Sequence, residues 1–201
     1  MCIEIENYKQ KHNYDFSDYF NSNQIDADAE DLLNDFLSNP EYKLKLDKRK
    51  VPIIEIAKIM GFKIYTTRFN DRNLSGTIGI SKKLYNRYKS DKVIILNNQD
   101  TDEHILFTLC HELAHYIYDY KSNIHDEYSN TYRTDEIIDE KEKRANRFAA
   151  SLMMPKSSFK DAYIELSKNI DDSEIIVQGL ADAFNAPKTA VRIRLREVLY
   201  V

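Results

Sequence analysis

The segment His111-Glu112-Leu113-Ala114-His115 constrains this 201-residue chain more than any other part of it. It sits inside Asp102–Tyr118, where Leu106, Leu109, Cys110, Leu113 and Ile117 recur at helical spacing on the side away from the two histidines. On a helix, residues four apart lie on one face a single turn apart, so both imidazoles reach the same point. Glu112 follows His111 directly and is displaced by about 100° around the axis. That offset sets its carboxylate beside a bound ion and not on it, where it can take a proton from activated water. The expected helix therefore has a core face and a metal-binding face.

A catalytic zinc takes three protein ligands and keeps one position open. His104, His125 and Glu142 are the candidates for the third. His104 lies seven residues before His111, about two turns away, and reads as a surface histidine near the helix N-terminus. His125 falls in a polar, Tyr-rich stretch over 119–134, read as a loop. Glu142 opens the run Glu142–Pro155, in which Glu142, Asn146 and Ala149 share a helical face. Ala145, Ala149 and Ala150 are small enough for close helix approach, and Asn146 is placed to hydrogen-bond a ligand histidine from behind. The competing reading is an ordinary amphipathic helix with a solvated charged start. A structural four-ligand zinc is a further alternative, but Cys110 is the one nearby thiol and it falls on the core side.

The rest of the chain is organised around these two helices. Hydrophobic residues make up 42% and charged residues 31%, with a net charge of −4, which gives no global case for nucleic acid or an anionic membrane. Cys2 and Cys110 make no disulfide framework. The N-terminus lacks a basic region followed by an apolar run, and no apolar stretch reaches the roughly 20 residues that span a bilayer, so a cytoplasmic protein is expected. Helices are predicted over Ala27–Leu37 and from Val51-Pro52 to about Met60, the second closed by Gly61. Strands are predicted at Phe62–Thr66, Gly76–Ser81 and Lys92–Leu96, the last two as an antiparallel pair. The expected class is α+β and zincin-like. It is mostly helical, with a small sheet of about three strands, antiparallel or mixed, beside the HExxH helix. Expected boundaries are an N-terminal extension over 1–24, a catalytic domain over 25–158 and a helical C-terminal subdomain over 159–201.

The pair of motifs HELAH and ExxANxFAAxLMMP resembles the ImmA/IrrE family of metallopeptidases. Phe107-Thr108-Leu109 and the order helix, glycine, short sheet, HExxH helix are similar to that family's arrangement. The resemblance covers roughly Ala27–Pro155 well and the tail more loosely. It implies His111, His115 and Glu142 as metal ligands and Glu112 as general base in a gluzincin-like site. It implies Zn2+ as cofactor, with Mn2+ compatible with the same donors. It also implies a protein substrate, a helix-turn-helix (Xre-type) repressor of a mobile element or stress regulon. The long N-terminus and the charged insert Glu41–Lys50 depart from the family's pattern and bear on the docking surface.

Several finer expectations follow. Substrate is expected as an added β-strand on a sheet edge, either Gly76–Ser81 or Lys92–Leu96. His125, Tyr128, Tyr132 and Arg133, between the ligand helices, are candidates to stabilise the tetrahedral oxyanion. In the tail, Leu180–Phe184 and Lys188–Arg196 outline helix, turn, helix, with Lys188, Arg192, Arg194 and Arg196 making the second helix basic. One short basic helix offers few phosphate contacts, so a cap on the catalytic domain is preferred to direct DNA binding. The rival class is a non-catalytic, metal-stabilised regulator or toxin–antitoxin partner acting by protein or DNA binding.

Overall fold

A computed structural model describes residues 22–47, 49–119, 126–132 and 140–199. Most of the expected 1–24 extension lies outside them. The first helix, α1 (Ser22–Ser38), buries Ile25, Ala29, Leu32, Leu33 and Phe36 along one stripe. The second, α2 (Ile53–Ile59), ends at Met60, and Gly61 takes the left-handed φ of 91° that a side chain would resist.

The chain then builds a four-stranded sheet in the order β1-β3-β2-β4. Strand β1 (Lys63–Thr67) runs parallel to β3 (Lys92–Asn97). Strand β2 (Leu74–Ser81) pairs antiparallel with β3, as expected, and also with β4 (Asp126–Tyr132). A short helix, α3 (Tyr85–Tyr88), follows β2 after a 3-10 turn. The α+β class holds, with one strand more than about three. Over 126–132 that strand corrects the loop reading of 119–134, the rest of which lies, from 120 on, outside the described residues. An edge strand pairs through its backbone N–H and C=O groups, so the polar run DEYSNTY satisfies the ladder without any apolar alternation to announce it. The topology also corrects the edge assignment. Gly76–Ser81 and Lys92–Leu96 lie in strands flanked on both sides, and the edges are β1 and β4.

Helix α4 (Asp102–Tyr118) starts on Thr101, whose hydroxyl accepts from the His104 backbone N–H, with Asp102 and Glu103 at the positive end of the helix dipole. From Thr108 to Tyr118 every residue is buried. The expected two-sided helix is therefore enclosed on its histidine face as well, by α5 (Glu140–Met153) and by β2. Helix α5 stops where Pro155 caps the following helix, α6 (Lys156–Ser167). Helices α7 (Ser173–Phe184) and α8 (Lys188–Leu199) complete the chain, joined across Asn185 in the left-handed conformation. Ile176, Val177, Leu180, Phe184, Val191 and Val198 sit in the same hydrophobic cluster as Leu113 of α4 and Phe148 of α5.

A buried ionic hub locks α5 in place. Asp26 of α1 accepts from Arg147 of α5 at 2.7 Å and from Arg194 of α8 at 2.8 Å, and it also accepts from Ser151. Arg194 is fully enclosed, donates to the Met154 carbonyl at 3.1 Å, and Arg147 also pairs with Glu197. Burial alone would raise the Asp26 carboxyl, but Arg194, Ser151 and Arg147 around it hold it below its ordinary value.

Candidate metal centre

Helix geometry brings the two motif histidines to one point. His111 Nε2 and His115 Nε2 are 2.9 Å apart, with both rings buried. Glu142, from the first turn of α5, reaches across with Oε2 3.1 Å from His111 Nε2 and Oε1 3.1 Å from His115 Nε2. Around a tetrahedral ion with ligands at about 2.1 Å, ligand atoms sit roughly 3.4 Å apart. The contacts between the three side chains are shorter than that spacing by about 0.5 Å or less. Two imidazoles and a carboxylate are a donor set that zinc accepts, and the three residues form a cluster suited to holding a metal ion. Glu142 is 38% exposed while the histidines are nearly sealed, so the cluster opens on the carboxylate side.

The rings are held from behind. His111 Nδ1 lies 3.0 Å from Asn146 Oδ1, and His115 Nδ1 lies 2.8 Å from Asp119 Oδ2. Each contact suits a protonated Nδ1, so that Nε2 is the nitrogen that would ligate a metal. Asp119 was not singled out from the sequence, although its position four residues after His115, one turn along the same helix, is a readable signal. Without a metal, burial lowers the affinity of His115 for a proton, but the Asp119 and Glu142 carboxylates outweigh it and push the imidazole up to about 9. Burial opposes ionisation of Glu142, and the hydrogen bonds and charge of His111 and His115 hold it well below the usual carboxylate range.

Glu112 is fully buried next to the cluster. A methyl group added at Gly76 of β2 would stand 3.1 Å from Glu112 Oε1 and 2.6 Å from Thr108 Cγ2. The glycine thus lets the sheet close directly onto the carboxylate. His104 is half-buried against Ser75 Oγ at 3.2 Å and stands apart from the cluster. Tyr128 and Tyr132 lie in β4, opposite Gly79 and Leu74. His125 and Arg133 lie outside the described residues. Cys110 is buried in the core, and burial pushes its thiol far up, so it offers no thiolate.

Comparison with known proteins bears on this site. The family model of the IrrE N-terminal-like domain, a peptidase family, matches residues 57–196 and so spans His111, Glu112, His115 and Glu142. Among solved structures, a Mycobacterium tuberculosis transcriptional regulator is similar in fold, with a TM-score of 0.52 at 14% identity. The match covers 96% of this chain and 50% of that one, so the chain spans about half the length of the regulator. No curated protein matches it.

Proposed function

Because the chain belongs to the IrrE N-terminal-like peptidase family, we propose that it is a zinc-dependent endopeptidase acting on a protein. His111, His115 and Glu142 are the metal ligands, Glu112 is the general base, and Asn146 orients His111. The observation that carries this reading is the meeting of three side chains from two helices, the two histidine Nε2 atoms 2.9 Å apart and each 3.1 Å from one oxygen of Glu142. Zn2+, or Mn2+ on the same donors, would supply a Lewis acid to polarise a scissile carbonyl and acidify water. Glu112 would then act as the base, accepting a proton from the attacking water and returning it to the leaving amine. Glu112 is fully buried against Gly76 of β2, which holds the carboxylate in place beside the metal ligands.

The substrate lies extended along an edge strand, pairing through its main chain. Strand β4 is the edge next to β2, and β2 touches Glu112 through Gly76. The substrate class, a helix-turn-helix repressor in the cytoplasm, rests on the resemblance of the two motifs to the ImmA/IrrE family. Direct DNA binding by the tail loses support from α8 itself. Arg194 is consumed in the core, and Arg192 pairs with Glu174 at 2.5 Å. Among the described residues, no helix is long and apolar enough to cross a membrane.

The test is incubation of the zinc-loaded protein with a repressor encoded beside its gene, with fragments mapped by mass. Parent protein cuts one bond, while Glu112→Gln keeps its ion and loses cleavage by at least about 100-fold. Cleavage by Glu112→Gln at the parent rate would remove Glu112 from the mechanism.

A further inference from the structure

Helix α5 makes a second connection to the histidine pair, separate from Glu142. Asp119 caps the C-terminus of α4, and while its Oδ2 faces His115 Nδ1, its Oδ1 accepts from Arg144 Nη2 at 2.5 Å. Arg144 stands two residues after Glu142 on α5. The Arg144 and Asp119 side chains are 13% and 16% exposed, so the pair is largely withdrawn from solvent. The guanidinium lies 5.0 Å over the ring of Tyr118. The Tyr118 hydroxyl in turn donates to Asp28 Oδ2 of α1 at 2.7 Å. A continuous path of contacts therefore runs from α1 through Tyr118, Arg144 and Asp119 to His115.

We infer that Arg144 is a positioning residue for the metal centre, acting through Asp119; this rests on the metal reading above. A carboxylate held by one hydrogen bond still turns about its side-chain torsions. Arg144 pins the second oxygen, so that Oδ2 stays in line with His115 Nδ1 and the ring keeps Nε2 aimed at the point it shares with His111 and Glu142. The planar guanidinium, seated over the Tyr118 ring, has little freedom of its own to lose. Because Arg144 and Glu142 belong to the same helix, the contact also fixes α5 against the end of α4, which sets how far Glu142 stands from the histidines. Its consequence here is geometric and falls on the ligands.

The test compares parent, Arg144→Gln, Asp119→Asn and the double variant in two measurements. One is the Zn2+ dissociation constant, by competition with a chromophoric chelator. The other is the visible spectrum of the Co2+-loaded protein. Each single variant weakens Zn2+ by about 10- to 100-fold and shifts the Co2+ bands. The double variant binds no more weakly than Asp119→Asn alone, because Arg144 acts only through Asp119. Arg144→Lys keeps the charge without the fork, recovers part of the affinity, and carries the comparison should Arg144→Gln fail to fold. Parent affinity and parent Co2+ spectrum in Arg144→Gln overturn the inference while leaving the metal reading intact. So does a double variant whose loss is the product of the single losses, or an Arg144→Gln protein whose metal-free melting temperature drops while its Co2+ spectrum stays that of the parent. A parent that binds neither ion overturns the metal reading and this inference together.

Discussion

At the scale of single residues, the site is built from side chains whose freedom has been removed one contact at a time. His111 and His115 are each gripped at Nδ1, and Glu112 is walled in by β2 at Gly76, where an added methyl would crowd its carboxylate and Thr108. That last contact makes a prediction. In Gly76→Ala the new methyl meets Thr108 Cγ2 at 2.6 Å, well inside van der Waals contact, so a neighbour in the packed interior must shift. Unfolding in urea should show a loss of about 1–3 kcal/mol, typical of overpacking. Adding Thr108→Ser, which deletes the crowded methyl, should return most of it. Equal stability of Gly76→Ala and parent would show that the sheet does not press on α4 as described. The histidine spacing was legible in the sequence because a helix turns a four-residue interval into a shared face. Arg144 was not legible, because nothing local to α5 says that Asp119 lies beside it.

At the scale of elements, the bounds of α4 and the neighbourhood of α5 followed from periodicity, capping residues and Pro155. Strand β4 did not, since its pairing uses backbone groups that every residue carries. The position of α5 depends on the Asp26 hub, which joins it to α1 and α8. Asp26 is held below its unfolded value in the folded protein, so its contribution is fully present above the unfolded carboxylate range near pH 4. It is lost as pH falls through the folded value. Asp26→Asn leaves Arg194 buried without its carboxylate, and should cost about 3–5 kcal/mol at pH 7. Urea titrations from pH 7 down to pH 3 should show the gap between parent and variant narrowing below about pH 4. A gap that is constant across that range would mean that Asp26 takes up its proton at the same pH folded and unfolded, and so contributes nothing to acid sensitivity.

At the scale of the whole molecule, the tail teaches the most about reading the sequence. Lys188, Arg192, Arg194 and Arg196 read as a basic face, and two of the four turn inward or sideways, Arg194 into the core and Arg192 onto Glu174. Charge counted along a helix says nothing about which charges a buried carboxylate elsewhere in the chain will claim. Helices α7 and α8 supply core residues that pack in one cluster with α4 and α5, so removal of residues 176–201 would expose that cluster as well as the Asp26 hub. What the molecule as a whole achieves is to bring His111, His115 and Glu142 together from two helices and to hold them there. Metal content after zinc loading and exhaustive desalting, for parent and Glu142→Ala, tests that directly. The account predicts one ion per chain for the parent and a strong loss for Glu142→Ala, because two buried histidines alone leave the ion short of its third protein ligand. Full occupancy in Glu142→Ala, or none in the parent, would contradict it.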